Sequence, residues 1–217
     1  LDTQVEVEVL DGLGSLAARG LITDAQAGEL ADAVVSLENI VICAPDGVDT
    51  APLLAALLSR GIASNYAVGV CSVEPARYAE LRPLHRIRRT GGLQLDMVLW
   101  HFQMMAIAMV GVDSVAPAEA GHLFLTMARR GGYVAVFQTQ KQDVQGELRA
   151  FAALDPRCAE NPKVWVDRAV SVLVEYRISH GQGQSPTVRI TRQTVGTAKF
   201  RLTRARRART SHEWVDE

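Results

Sequence analysis

The stretch Asn39-Ile40-Val41-Ile42-Cys43-Ala44-Pro45-Asp46-Gly47-Val48-Asp49-Thr50-Ala51-Pro52-Leu53-Leu54-Ala55-Ala56-Leu57-Leu58 divides into three parts. Asn39–Ala44 is a short, uninterrupted apolar run, the pattern of a strand buried on both faces. Pro45–Asp49 carries the turn formers Pro, Asp and Gly. Pro52 suits the first turn of a helix, where its missing N–H would have no partner anyway, and the Leu-rich Pro52–Leu58 continues that helix. The order is strand, loop, helix.

The same alternation extends outward. Upstream, Thr23-Asp24 supplies N-cap chemistry for a helix over Ala25–Leu37, with Ala27, Leu30, Ala31 and Val34 on one face. Val5–Leu10 alternates Glu with Val and Leu as a half-exposed strand would, and Gly12 and Gly14 then break it. Downstream, Tyr66–Ser72 reads as a second strand, Pro75–Leu81 as a short helix and His85–Gly92 as an irregular basic stretch. A helix begins at Leu95, a third strand covers Met109–Val112, and Pro117–Arg130 is a helix ended by Gly131-Gly132. Tyr133–Gln138 is a fourth strand and Gly146–Leu154 a further helix. Ala169–Ser179 and Thr187–Thr194 flank the turn Gly181–Pro186, which predicts a closing antiparallel hairpin. Strands and helices alternating in this way imply an α/β fold with right-handed crossovers, a mostly parallel sheet and helices on both faces.

Composition narrows the class. The 217 residues are 48% hydrophobic and 22% charged, a balance that builds a core and excludes disordered, collagen-like and disulfide-scaffold proteins. The apolar stretch Met97–Val112 is too short for a membrane span and contains His101 and Gln103, so it reads as a buried helix running into a strand. Trp100, His101, Gln103 and Met104 are accordingly expected in the core or an interface. No signal-peptide pattern opens the sequence. Cys43, Cys71 and Cys158 are odd in number and widely spaced, so inert buried thiols of a cytoplasmic protein are expected, and no Cys/His spacing suggests a metal site. The net charge of −1 hides an asymmetry: residues 1–40 hold eight acids against Arg19 alone, while Lys199–Arg209 hold six bases and no acid.

Strand, loop and helix at Ile40–Leu58 occupy the places of a phosphate-binding P-loop, where backbone amides and a Lys neutralise phosphates. Against G-x-x-x-x-G-K-[ST], Ala44 and Asp49 replace the glycines, Thr50 the Lys and Ala51 the Mg²⁺ ligand. Two carboxylates, Asp46 and Asp49, stand where one ammonium belongs. That change from about +1 to −2 costs several kcal/mol of triphosphate binding at an effective dielectric of about 20, so tight ATP binding in the usual mode is not expected.

Over about Asp11–Thr194 the chain resembles the traffic ATPases of type II and type IV secretion, Tad-type pilus assembly and conjugation. Leu21–Gln26 with the following helix resembles the lead into that family's P-loop, and Leu53–Leu58 the helix after it. Tyr66–Pro75 is similar to the strand of the acidic box, Leu95-Asp96-Met97-Val98 to the helix before the Walker B strand and Met109-Val110-Gly111 to that strand. Arg86 and Arg89 fall where family members place arginines that reach the nucleotide phosphates; read as residues alone, they belong to a solvated basic loop or to a phosphate or partner site. Gly131–Gln140 resembles the family's histidine box, with Gln138 at the histidine. The resemblance implies a RecA-like P-loop NTPase fold over residues 1–196, without the family's separate N-terminal domain, followed by a basic tail over 197–217. It also implies a ring-forming homo-oligomer or mixing with an active traffic ATPase, contacts with inner-membrane assembly proteins, and a cytoplasmic site at the inner face of the membrane.

The catalytic positions depart from the family together. The Walker B Gly-Glu becomes Gly111-Val112 with Asp113 one position late, and Glu74 is a weak substitute in the acidic box, where strict placement puts Ser72 or Val73. Phosphoryl transfer uses cradle, metal ligand and water-positioning groups jointly, so their combined loss predicts a non-hydrolysing relative serving as a structural or regulatory subunit. The degenerate loop Asp46, Gly47, Asp49, Thr50 and Ala51 is then no catalytic centre, and no cofactor is expected. The alternative is a divergent ATPase binding ATP and Mg²⁺, with Arg86 and Arg89 replacing the Lys, Thr50 reaching Mg²⁺ and Asp113 or Glu74 activating water. A third reading, nucleic-acid binding through Arg204, Arg206, Arg207 and Arg209, is disfavoured because no aromatic residues interleave that run.

Overall fold

The computed structural model describes residues 12–82, 84–89, 94–177 and 186–193. The expected strand at Val5–Leu10, the turn at Gly181–Pro186 apart from Pro186, and the whole tail lie outside these residues.

A seven-stranded sheet runs through the described residues in the order β3-β2-β4-β5-β1-β6-β7. Its strands are β1 (Ile40–Ala44), β2 (Val68–Ser72), β3 (His85–Arg88), β4 (Met109–Val115), β5 (Tyr133–Gln138), β6 (Val172–Arg177) and β7 (Thr187–Arg192). All neighbours pair in parallel except β6 and β7, which form the antiparallel hairpin expected from sequence. Helices α1 (Gly12–Ala18), α2 (Asp24–Val35) and α3 (Ala51–Ala63) cover one face, and α4 (Leu95–Met104), α5 (Ala120–Met127), α6 (Val144–Ala152) and α7 (Pro162–Ala169) the other.

The period-two rule assigns the core. On β1, Ile40, Ile42 and Ala44 pack towards α1–α3, whereas Val41 and Cys43 pack towards α4–α7. Both sides are apolar because both are covered, which is why the central strands read as unbroken hydrophobic runs. Helix α2 starts at a capping box in which the Thr23 hydroxyl accepts from Gln26 N–H and the Gln26 side chain accepts from Thr23 N–H.

Three elements depart from the sequence reading. His85–Arg88 is an edge strand, not an irregular stretch. It pairs with β2 through the backbone while His85, Arg86 and Arg88 stay exposed, so it carries no apolar signature. Gly12 and Gly14 lie inside α1, a helix not expected from sequence, and a Cβ at Gly12 would come within 2.9 Å of Ala56 on α3, so that glycine allows close helix packing. Residues Pro162–Ala169 form α7, and β6 begins only at Val172.

Helix α4 narrows the expectation of a core or interface position for four of its residues to the interface. Leu95, Val98, Leu99 and Phe102 face the core, while Trp100, His101, Gln103 and Met104 are exposed. Among the described residues, no helix is long and apolar enough to cross a membrane.

All three cysteines are buried free thiols. Burial, reinforced by the charges of Glu175 and Glu147, pushes the Cys43 thiol far above its ordinary range. Burial also pushes Cys71 up to about 11, with the nearby Arg89 opposing it. Cys158 is likewise raised by burial and donates to the Gly121 carbonyl at 3.7 Å. At pH 8 a maleimide reagent is therefore expected to label the folded chain slowly at all three positions and the denatured chain quickly. Rapid labelling of Cys43 without denaturant, read by mass spectrometry, would contradict the buried placement.

Asp155 packs so closely on α5 that a Cβ at Gly121 would come within 2.1 Å of the Asp155 Cβ. Its carboxylate accepts from Arg157 at 2.9 and 2.6 Å, and these bonds hold it below the usual carboxylate range against the opposing effect of burial. A carboxyl lowered in the folded state contributes stability in full above its unfolded value, about 3.9, and loses it as the pH falls through the folded value. Asp155→Asn is thus expected to flatten the acid limb of a melting-temperature profile between pH 5 and 2, relative to the unsubstituted chain. Parallel acid limbs would show that the pair contributes nothing.

Candidate functional site

In an open α/β sheet the ligand crevice lies beyond the carboxyl ends of the strands. Here the ends of β1, β2, β4 and β5 bring together most of the positions singled out from the sequence.

The loop between β1 and α3 is tight. Val48 N–H donates to the Pro45 carbonyl at 3.2 Å across Asp46-Gly47, and Gly47 has a φ of 82°, which glycine adopts at no steric cost. Two further groups are withdrawn from any anion cradle. Ala51 N–H donates to Asp49 Oδ1 at 3.1 Å, and Pro52 has no N–H. The Asp49 carboxylate therefore sits at the positive end of α3, where an anionic ligand would be stabilised. Arg77, from the short 3-10 turn Pro75–Tyr78 after β2, donates to the same Oδ1 at 2.5 Å. Thr50 is buried at the N-cap of α3 and makes no side-chain capping bond.

The residues of this loop do not fit a triphosphate. A Lys is missing, the amides are partly consumed, and a carboxylate with its own guanidinium partner lies at the helix terminus. Beneath the loop, Tyr176 on β6 buries its hydroxyl without a hydrogen-bond partner, and burial together with the Asp49 charge raises its phenol to about 12.

At the ends of β2 and β4, the Ser72 hydroxyl donates to Asp113 Oδ2 at 2.9 Å and accepts from Glu74 N–H at 3.0 Å. The β4–β5 register shifts between Val112 and Val115, so β4 gains a residue beside Asp113, and Ser114 follows with a φ of 68°. This bulge places Asp113 over Ser72. Tyr78 is buried close by, and its phenol is raised by burial and then by the Asp113 charge. The Glu74 side chain is exposed, and its backbone N–H is what joins the cluster.

Arg86 and Arg89 lie on and just after β3. Arg86 donates to the carbonyls of Ala79 and Leu81 at 3.1 and 2.9 Å. Arg89 donates to the Ser114 carbonyl at 2.8 Å and forms a half-buried ion pair with Glu119. Each arginine thus holds neighbouring backbone or a carboxylate in this structure. At the end of β5, Gln138 stands opposite Ala44, Thr139 N–H donates to the Ala44 carbonyl at 2.9 Å, and Gln140 Nε2 lies 3.4 Å from Asp46 Oδ2. Buried Glu147 on α6 accepts from Gln140 and Lys141 N–H and so fixes this segment.

The fold thus gathers Asp46, Gly47, Asp49, Thr50, Ala51, Gln138 and Asp113 at the carboxyl ends of the central strands, with Arg89 beside Asp113. The tail positions Arg204, Arg206, Arg207 and Arg209 lie outside the described residues. Sequence reasoning missed Arg77 and Glu147. Neither sits in a local pattern, since the Asp49–Arg77 contact joins residues 28 apart. Among the described residues, no group of three or more His, Cys, Asp or Glu side chains is arranged to hold a metal ion.

No protein-family model and no curated protein sequence matches the chain. Solved structures do. The chain is similar to the VirB11 ATPase of the Brucella suis type IV secretion system in complex with sulphate, at 13% identity and a TM-score of 0.63 over 83% of this chain and 54% of that one. It is similar to the Legionella pneumophila ATPase DotB at 12% identity and a TM-score of 0.57, covering 75% of this chain and 47% of that one. It is also similar to the pilus retraction motor PilT with bound ADP, at 12% identity and a TM-score of 0.50, covering 73% and 49%. The chain spans about half the length of these structures. At such identities the likeness is one of fold: the chain has the RecA-like P-loop architecture that the sequence resemblance implies.

Proposed function

We propose that the chain is a non-hydrolysing relative of secretion and pilus traffic ATPases, serving as a structural or regulatory subunit of a secretion- or pilus-type assembly at the cytoplasmic face of the inner membrane. The observation that carries this reading is the Asp49–Arg77 pair at the N-terminus of α3. An internal carboxylate with its own cation stands where a nucleotide phosphate would need to sit, and it accepts the Ala51 amide that such a phosphate would use. Ring formation with itself, or mixing with an active traffic ATPase, belongs to the same proposal and is supported by the family resemblance of the sequence. The reading needs no cofactor.

Isothermal calorimetry of Mg-ATP and Mg-ADP tests this reading, with protein concentrated enough to detect dissociation constants near a millimolar. Absence of heat is the expected result. Micromolar binding would overturn it and favour the divergent ATPase, for which the Ser72–Asp113 contact at the carboxyl ends of β2 and β4 is the supporting geometry. Asp113→Ala, Arg86→Ala and Arg89→Ala would then separate a nucleotide sensor from an enzyme.

A further inference from the structure

Helix α4 carries two apolar stripes at the same spacing. Leu95, Val98, Leu99 and Phe102 are buried against the sheet, whereas Met97, Trp100 and Met104 lie on the outer side at 57%, 62% and 68% exposure. Large exposed side chains so grouped on a soluble fold mark a contact surface. Met97 and Trp100 line a groove of about 1160 Å³ between α4 and the C-terminal end of α5, lined also by Arg129, Arg130 and His122, and Met104 continues the same exposed stripe beyond it. Asp96 is the acid lining the same groove. The surface is therefore apolar along its floor and basic along the α5 rim. It lies on the α4–α7 face of the sheet, away from the β1–α3 loop.

One segment of this chain has the complementary pattern. Residues 2–11 alternate Val5, Val7 and Val9 with Glu6 and Glu8, add Asp2 and Asp11, and contain no base. An extended segment with that period presents an apolar edge and an acidic edge together. Residue 11 joins α1, which packs on α3 on the opposite face of the sheet from α4. The start of α1 thus lies across the sheet from the groove of the same copy, which favours the groove of a neighbouring copy as the site of the segment.

We infer that the α4–α5 groove binds the acidic, valine-rich residues 2–11 of a neighbouring copy, joining copies head to tail. Val5, Val7 and Val9 cover Met97, Trp100 and Met104, and Glu6 and Glu8 meet Arg129 and Arg130. Such a contact is heterologous, since groove and segment are different surfaces, so each copy both gives and receives. The inference goes beyond the proposed function and does not depend on nucleotide chemistry.

Sedimentation velocity of the full chain tests it with two variants, Glu6→Lys/Glu8→Lys in the segment and Met97→Asp/Trp100→Asp in the groove. The two groove positions are exposed, and circular dichroism checks that both variants fold. The unsubstituted chain is expected to self-associate, more weakly at high salt. Each variant alone is expected to sediment as a monomer, with association weakened at least about tenfold. An equimolar mixture retains one intact segment and one intact groove and is expected to form a dimer. Arg129→Glu is expected to act like the groove variant. The inference is overturned if the unsubstituted chain stays monomeric at its highest soluble concentration. It is equally overturned if the groove variant still associates, or if removal of residues 199–217 abolishes association while the glutamate reversal leaves it intact. The last outcome would pair the segment with the basic tail instead. Calorimetry and sedimentation report separately, so a failure of one reading is visible apart from the other.

Discussion

Replacing Asn39 with Ala is expected to lower the melting temperature by about 10 °C. Asn39 immediately precedes β1 and is 4% exposed. Its Nδ2 donates to the Met127 carbonyl at 2.7 Å and to the Arg130 carbonyl at 3.3 Å, at the C-terminal end of α5, while its Oδ1 accepts from Tyr133 N–H at 3.1 Å. One side chain thus satisfies the end of a helix and the start of β5, and its backbone carbonyl accepts from Ser171 and Val172 at the start of β6. Alanine leaves these buried groups unpaired at roughly 1–3 kcal/mol each, a loss of about 3–5 kcal/mol in all. For a domain of this size 1 kcal/mol corresponds to about 2–4 °C. Asn39→Asp is expected to be worse near neutral pH, because a carboxylate would face two carbonyl oxygens. Burial and those oxygens raise such a carboxyl in the folded state, so the penalty shrinks as the pH falls and the group protonates. Thermal melts at pH 7 and pH 5 check both variants, and a fall of less than about 2 °C for Asn39→Ala would remove this account.

The second large effect concerns the closed loop. Asp49→Gly combined with Thr50→Lys removes the carboxylate that caps α3, releases Arg77 and supplies the missing ammonium. The local charge changes by two units. A unit charge about 6 Å from a phosphate at an effective dielectric of about 20 is worth about 3 kcal/mol, so the pair of changes is expected to raise Mg-ATP affinity by at least about a hundredfold. Calorimetry on the double variant should then detect binding where the unsubstituted chain shows none. Circular dichroism guards against misfolding, because Thr50 is buried. A folded double variant that still gives no heat at millimolar nucleotide would mean that the β1–α3 loop is not where a phosphate would bind.

The two cases differ in how far the sequence discloses them. For the loop, Asn39–Leu58 shows both the strand, loop, helix order and the loss of the Lys and glycines, because these are local patterns. The guanidinium facing Asp49 is not visible there. Arg77 lies 28 residues away on a turn whose position depends on the pairing of β2 with β4. Asn39 is similarly unremarkable in sequence, where it is simply the polar residue before an apolar run.

What the sequence by itself determined is whatever period and chain order carry: alternating strands and helices, the parallel sheet with two covered faces, the closing hairpin, and the replacement of phosphate-handling residues. It did not determine β3, whose exposed side chains leave no hydrophobic signature on an edge strand paired through its backbone. Nor could it choose between the stripes of α4. Leu95, Val98, Leu99 and Phe102 follow the same spacing as Met97, Trp100, His101 and Met104. Helical periodicity gives the angle between the two faces but no direction in space. Only the tertiary structure, by placing the Phe102 ring where Gly69 leaves room for it, decided which stripe entered the core and which stayed outside.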